Sequence, residues 1–446
     1  MTASCVRLMA AVKRVLLIVL AAIVLVPILL LLLLSSTPKL QLDPNVTAIG
    51  AATPVKVHII SPHGVRRITA RIEQNGTQYE VFDTSRPSRR LFFFGKHAPE
   101  DVAFTVGSKS TPALKDGKAN LVVEATSNDF RGSTASDARE VSVATRPPAV
   151  SPDGAQHYIN QGGMELVTYA PEGYVTESGV KVGPYTFRSF GLPGKPNERF
   201  SMFAFPWDLP VSTAPFVYAT NPTGTQAVGH FWFKVFPKKF RKRDLEINDA
   251  FLNKVVNEID PNGSGDLVAR FLKINGEMRR QNNKTLADLR DKTEQRFLWS
   301  GPFLTFSNSA VESEFADVRS YVYKGKKIDQ QVHLGFDLAK VKNTPIVAAN
   351  DGKIVWAERL GIYGNCIVVD HGFGLQSIYG HLSRINVKVG DAVKKGQEMG
   401  LSGATGLAGG DHLHFSMQVD GVQINPIEWW DAHWIHDRIL SKVPAQ

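Results

Sequence analysis

Five residues towards the C-terminal end of the sequence have types and spacings suited to metal-assisted hydrolysis. They are His333 and Asp337 in HLGFD, His381 in YGHLS, and His412 and His414 in DHLHF. His333 and Asp337 stand four apart, and His412 and His414 two apart. In an extended chain residues i, i+2 and i+4 share a face, so each pair can converge on one point. Neutral imidazole and carboxylate are the donors a borderline cation such as Zn²⁺ takes, and three protein ligands with one open position mark a catalytic rather than a structural site. The stretch therefore predicts a zinc hydrolase centre with one Zn²⁺. No HExxH occurs, which leaves the base work to imidazole, whose unperturbed pKa of about 6.5 suits the task.

The order HxxxD, an isolated histidine in a Tyr-x-His-Leu context, then HxH resembles the lysostaphin/LytM-type zinc endopeptidases, the M23 family, which cut peptide bonds in bacterial cell walls. The resemblance runs from about Pro302 to Trp430 and includes TPIVAANDGKIVWAE and GLSGATGLAGGDHLHF. It implies that His333, Asp337 and His414 hold the zinc. It also implies that His381 and His412 form an unliganded pair that activates water and stabilises the transition state. Within that pair His412 is the expected general base, being two residues from His414 on one strand face, and His381 the donor to the developing oxyanion or the water. Relatives that have become regulators usually lack one or more ligands, whereas all five residues are present here. The implied activity is hydrolysis of peptidoglycan peptide cross-links. The alternatives are a non-catalytic LytM-like scaffold binding peptidoglycan or a partner hydrolase, and a peptidase acting on a protein substrate. HFSM follows the last histidine where many relatives have an acidic residue, a departure that bears on the cleft floor and not on the metal. Asp411 points to the opposite strand face from His412, His371 reads as a turn residue, and His433 and His436 read as a terminal helix or packing.

The elements that must position these residues are mostly strands. KIVWAE, CIVVDH, LQSIYGHL, INVKV and HLHFSMQVDGVQI alternate with turns at Asp351-Gly352, Gly372–Gly374 and Asp420-Gly421, which predicts an antiparallel sheet presenting the ligands. The small residues of 400–410 suggest a close-approach loop beside a groove for an extended peptide.

The rest of the 446 residues is organised around that domain. An uncharged run over 15–34 is long enough to cross a bilayer core of about 30 Å. Arg7, Lys13 and Arg14 precede it and only Lys39 follows closely, so the positive-inside bias places residues 1–14 in the cytoplasm and the remainder outside. The run is longer than a signal-peptide core and has no clear cleavage site, favouring an uncleaved single-pass anchor in the cytoplasmic membrane, with the catalytic part in the periplasm or cell-wall space. The two cysteines, Cys5 and Cys366, flank this run, which excludes a disulfide framework and a thiol metal site. Net charge is +9, a general affinity for anionic surroundings, with nucleic acid disfavoured on the outer side.

The expected fold is mainly β and multi-domain. Residues 45–146 read as an immunoglobulin-like β domain with strands VKVHII, ITARIEQNGTQYEVF, RLFFF and ANLVVEAT and a hairpin at Asn75-Gly76. Its His58, His63 and His97 have no ligand spacing. Residues 150–243 read as a second β domain whose aromatics are core rather than a sugar platform, with His230 as packing. The basic run KKFRKR at its end reads as a solvated strand end in preference to an anion-binding patch. Residues 244–300 form a helical connector. Leu252, Val255, Val256 and Ile259 make a helical stripe. DPNGSGD is a helix–turn–helix break rather than a calcium loop, because its twelfth position is Phe271. Thr285 with Asp288 starts a further helix through Phe297. The connector either braces the peptidase domain, residues 301–435, or lies over its cleft as a lid, and residues 436–446 are a tail.

Overall fold

The computed structural model describes residues 3–91 and 95–443. It opens with the helix Ala3–Leu34, which carries Pro27 inside it. This helix starts well before the uncharged run, because Ala, Leu, Met, Arg and Lys upstream are good helix formers. Within Arg7–Leu34 the mean hydropathy reaches 3.5, so the helix is long and apolar enough to cross a membrane.

The chain divides into two compact units. The first, residues 1–148 with short pieces at 173–176 and 220–226, is a β-sandwich. Strands Lys39–Leu42, Thr53–Ile60 and Glu100–Val106 form a three-stranded sheet. Ala48–Ile49, Thr134–Val143, Gly117–Ser127, Val65–Gln74 and Thr77–Ser85 form a five-stranded one. Alternating residues such as Val55, Val57, Ile59, Ile68, Ala70 and Ile72 fill the shared core, as the period of two requires. The Asn75-Gly76 turn has positive φ at both residues, 52° and 79°, the geometry that closes a two-residue hairpin. Of the expected strand RLFFF, Arg90 and Leu91 lie in a turn, while Phe92–Phe94 lie outside the described residues.

The second unit holds the rest. Its first part has two four-stranded sheets, one ordered Phe190–Leu192, Lys195–Ala204, Met164–Glu172, Ala149–Pro152, the other Tyr185–Arg188, Glu177–Val182, Phe216–Thr220, Gln226–Gly229. Its aromatics are mostly core: Phe187, Phe200, Phe203 and Phe205 are fully buried. Tyr158, Trp232 and Phe236 instead cluster with Trp232 and Phe236 exposed. His230 is exposed with its ring 6.1 Å from Phe216. This part shares one core with the C-terminal strands: Phe200 packs on Phe297 and Phe373, whose centroids lie 6.3 and 4.9 Å away.

The C-terminal part is built on an eight-stranded sheet. Its order is Ala310–Ser313, Phe336–Ala339, Leu413–Val419, Leu375–Leu382, Asn365–Gly372, Gly352–Arg359, Ala392–Val393, with Val422–Ile424 pairing Leu413–Val419. Beside it, Lys242–Ile247, Asp317–Tyr323 and Lys326–His333 form a three-stranded sheet. Helices Asp249–Ile259, Leu267–Lys273 and Arg279–Asp288 pack against both sheets. Leu252, Val255, Val256, Phe271 and Leu286 meet Tyr321, Ile362 and Ile378 in one cluster. The helix expected from Thr285 begins six residues earlier, at Arg279, and ends at Asp288. Thr285 is interior to it and donates its hydroxyl to Gln281 O at 3.1 Å, a back-bond that competes with capping.

Candidate metal centre

Four strands from two sheets deliver His333, Asp337, His381 and His414, and His412 immediately precedes the last of them. Asp337 sits directly opposite His414, and His414 opposite Gly380. His333 and Asp337 are not on one continuous strand. His333 ends Lys326–His333 and Asp337 belongs to Phe336–Ala339, so the chain leaves one sheet and enters the other at Leu334-Gly335. Glycine is needed there: a Cβ on Gly335 would lie 2.6 Å from His414 Cε1 and 2.7 Å from Nε2. His381 follows Gly380 at an irregularity where the register with Asn365–Gly372 shifts. Its φ is +64°, a region non-glycine residues rarely occupy and which bulges near active sites use to re-aim a side chain.

The resulting cluster is tight. His333 Nε2 lies 2.9 Å from His414 Nδ1 and 2.9 Å from Asp337 Oδ1, and His414 Nδ1 lies 3.2 Å from the same oxygen. All three residues are buried. Atoms bonded to one tetrahedral Zn²⁺ at about 2.0–2.1 Å stand roughly 3.3 Å apart, so the donor set is of the right kind and close to the right span. The tautomer also suits: His333 Nδ1–H donates to Glu314 O at 3.2 Å, leaving Nε2 unprotonated towards the other donors. His412 Nε2 stands 3.4 Å from Asp337 Oδ1, and the His381 and His412 rings are 4.8 Å apart. His412 Nδ1–H donates to Gly410 O at 2.9 Å and His381 Nδ1–H to Thr405 O at 2.8 Å. The free ring nitrogen of each is therefore Nε2. A neutral His381 accepts there, and a donor role requires its imidazolium.

Burial and charge sort the protonation states. Burial brings His333 down to about 4, and burial likewise lowers His414. Burial, then the charges of His412 and His414, hold His381 well below the usual histidine range. Burial opposes ionisation of Asp337, but the surrounding imidazoles keep it well below the carboxylate range. His412 differs: burial is outweighed by the hydrogen bond and charge of Asp337, and its pKa is raised. The three cluster residues thus have the deprotonated forms that metal binding needs, and of the four histidines at the site His412 alone has its pKa raised.

Several residues around the cluster carry no motif. Arg319 donates to Asp337 Oδ2 at 2.6 Å, fixing the carboxylate so that Oδ1 faces the histidines. Lys238, Lys239, Arg241 and Lys242 of the basic run are exposed, as a solvated strand end is, while Arg241 also pairs with Asp317 at 2.7 Å and Arg243 reaches Ser313 and Asp317, because strand Lys242–Ile247 runs parallel to Asp317–Tyr323. A cavity of about 500 Å³ opens over the cluster, walled by Arg243, Arg319 and Tyr363 and, from the helices, by Phe251, Arg279 and Asn283. Hydrogen bonds tie the helices to the sheet domain. Lys254 donates to Ala408 O and Gly409 O, Glu258 accepts from Gly406 N at 2.7 Å, and Asn282 Oδ1 accepts from Ile362 N at 2.9 Å. The 400–410 loop is a close-approach segment, since a Cβ on Gly403 would lie 2.4 Å from Ser383 N and one on Gly406 2.4 Å from Gly364 N.

The remaining candidates lie elsewhere. His371 is in strand Asn365–Gly372, not a turn. It is fully buried and satisfied by Asp351 O and Ser377 Oγ, both at 2.7 Å. Asp411 accepts from Ser402 Oγ at 2.6 Å and ties two loops. His433 and His436 pair with Asp437 at the surface. Asp260 of the calcium-like loop pairs with Arg270 at 3.2 Å.

Residues 331–426 match the family described as Peptidase family M23. The DD-carboxypeptidase/endopeptidase Mpg of Neisseria meningitidis serogroup B is 36% identical over 97 residues, 22% of this chain and 22% of that protein. The peptidoglycan DD-endopeptidase ShyA of Vibrio cholerae serotype O1 is 40% identical over 96 residues, again 22% of each. The chain thus spans about a fifth of the length of these curated relatives. Among solved structures, the catalytic domain of lysostaphin from Staphylococcus simulans is 30% identical, with 32% of this chain and 96% of that one covered and a TM-score of 0.21.

Proposed function

We propose, from the premise that residues 331–426 form an M23 peptidase domain, that the protein is a zinc-dependent endopeptidase cutting peptide cross-links of peptidoglycan. The reading extends to a domain held outside the cytoplasmic membrane by helix Ala3–Leu34. The observation that carries the reading is the convergence of His333 Nε2, Asp337 Oδ1 and His414 Nδ1 within 3.2 Å of one another. Those three residues would hold the metal. When bound, Zn²⁺ supplies Lewis acidity, polarising a carbonyl and bringing the pKa of a water to about 7.

This chain's own residues do the rest. His412 Nε2 takes the proton of the attacking water and later gives it to the leaving amine, general acid–base work of the kind that contributes about 10²–10⁴-fold. His381 Nε2 accepts a hydrogen bond from the same water while neutral. Arg319 keeps Asp337 oriented through its 2.6 Å hydrogen bond to Oδ2, and its cationic head adds positive potential where oxyanion charge develops. Tyr363 packs against His414 with ring centroids 5.4 Å apart, which limits the motion of that imidazole. The test is mass analysis of products from purified peptidoglycan incubated with the full chain, with and without a chelator. Chelator-sensitive release of peptides is expected. Release that persists after metal is removed and verified absent, or no release from metal-loaded protein, contradicts the reading.

A further inference from the structure

The membrane-length helix is not joined to the β-sandwich by a free linker. The last four carbonyls of a helix have no partner within it, and here three of them are met by side chains. Ser35 Oγ donates to Leu31 O at 2.8 Å, Arg131 Nη2 to Leu32 O at 3.0 Å and His63 Nε2–H to Leu34 O at 3.0 Å. The chain just beyond is held as well. Ser36 N donates to Oδ2 of buried Asp129 at 2.8 Å, and Arg131 N to Ser35 Oγ at 3.1 Å. The uncharged run over 15–34 measures about 30 Å, the full depth of a bilayer core, so Leu34 marks the edge of the hydrocarbon. The side chains fastened there stand at the level of the lipid headgroups.

At that level the fold gathers positive charge with no carboxylate to meet it. Arg131 is brought in from 99 residues beyond Leu32. Arg66 packs beside it, since a Cβ on Gly132 would lie 2.7 Å from Arg66 Nη2. Arg89 N donates to Asn128 Oδ1 at 2.8 Å, and Asn128 Nδ2 to Pro87 O at 3.0 Å, which seats the segment carrying Arg89 and Arg90 next to Asp129. Burial, then the charge of Arg90, lowers the pKa of Arg66, so two guanidinium groups crowd one another here. Neighbouring Arg67 and Arg86 hold Asp83 and Glu100 at 2.8 and 2.7 Å, whereas Arg66, Arg89, Arg90 and Arg131 are in no ion pair among the described residues. Asp129 spends its oxygens on Ser36 N, Ser127 Oγ and Gly132 N. Arg89, Arg90 and Arg131 are exposed, and Leu91 beside them is 57% exposed.

We propose that Arg66, Arg89, Arg90 and Arg131 form a docking surface for anionic phospholipid headgroups where helix Ala3–Leu34 leaves the bilayer, so that the β-sandwich rests on the membrane. The proposal rests on the anchor reading of that helix and goes beyond it by naming a second contact with lipid. A phosphate diester is the anion found at this depth, and guanidinium grips it with two parallel N–H donors. The exposed Leu91 suits the same boundary, where an apolar side chain enters beside cationic ones. The positive-inside bias is not opposed, because it counts basic residues close to the span in sequence.

Full-length protein in lipid nanodiscs, made of phosphatidylcholine alone or mixed with phosphatidylglycerol, tests it by amide hydrogen exchange. Amides of residues 86–91 and 130–132 should exchange about fivefold or more slowly with phosphatidylglycerol present. The Asn75-Gly76 hairpin, at the other end of strand Val65–Gln74 and about 30 Å from Arg66, should not change. The Arg89→Gln, Arg90→Gln double variant should lose most of the difference with its fold kept by circular dichroism, and the double lysine variant should retain it. Equal exchange in the two lipids, a slowing that spreads equally to the hairpin, or an undiminished difference in the glutamine variant overturns the surface while leaving the anchor. A chain that does not enter the discs overturns the anchor and the surface with it.

Discussion

The second unit contains two buried clusters of histidine and carboxylate that look alike in composition and differ in how they are closed. In one, His157 and Glu165, both fully buried, meet Asp153 at 3.0 Å from His157 Nε2 and Lys442 at 3.0 Å from Glu165. Lys442 also donates to Leu166 O at 2.6 Å, and Arg438 approaches Glu165 at 3.7 Å. The chain supplies its own cations, and the cluster pins the C-terminal segment to a strand. In the other, His333, Asp337 and His414 turn donor atoms towards one another beneath an open cavity, and Arg319 takes Asp337 from the outer oxygen. The first cluster is closed by its own lysine and arginine, whereas the second borders a cavity. Asp370 supplies the third case. It is buried and in no ion pair among the described residues, and burial pushes its pKa up to about 6.

The comparison can be broken by taking away each closing element in turn. Lys442→Met should leave Glu165 charged and under-compensated, at a cost of about 3 kcal/mol of stability, read as a fall in the denaturant midpoint with zinc content unchanged. A loss of zinc there would mean that the two clusters are not independent. Gly335→Ala should do the reverse. Its Cβ displaces the His414 ring, and a misplacement near 1 Å lowers turnover about 100-fold with weakened zinc binding and a retained fold by circular dichroism. Arg319→Met removes the outer support of Asp337 and should weaken zinc binding about 10–100-fold in competition with a chelator. Asp370→Asn sharpens the third case. With a folded pKa of about 6 against the ordinary carboxylate value of 3.8, the folded state binds the extra proton, so wild-type stability is greatest below about pH 4 and falls as pH rises to about 6. The asparagine variant should lack that fall and be roughly 1–3 kcal/mol more stable than wild type at pH 7, measured by urea unfolding across pH.

How much of this the sequence discloses follows from the distances involved. HLGFD and DHLHF announce themselves because each pair of donors is local and a strand repeats every two residues. His381 is visible only through its YGHL context, since its aim depends on a bulge and a positive φ that no residue type there demands. The interior of the β regions reads well from alternation. Arg319 and Arg243 are silent, because what each faces is decided by a parallel strand pairing. The His157–Glu165–Lys442 cluster is silent too, as Lys442 lies 277 residues from Glu165. Thr285 imitates a helix start because a threonine three residues before an aspartate looks like a cap, whereas the helix already runs from Arg279. Gly335 stood in view within HLGFD, and only the approach of the His414 ring explains it.

The account turns on which side chains hold the metal and which merely stand beside it. The most direct measurement is zinc per chain, by plasma mass spectrometry, in detergent-purified wild type, Asp337→Ala and His412→Ala. One equivalent in the wild type, none in Asp337→Ala, and one equivalent with lost turnover in His412→Ala is the result expected. Zinc retained by Asp337→Ala, or lost from His412→Ala, would contradict the assignment.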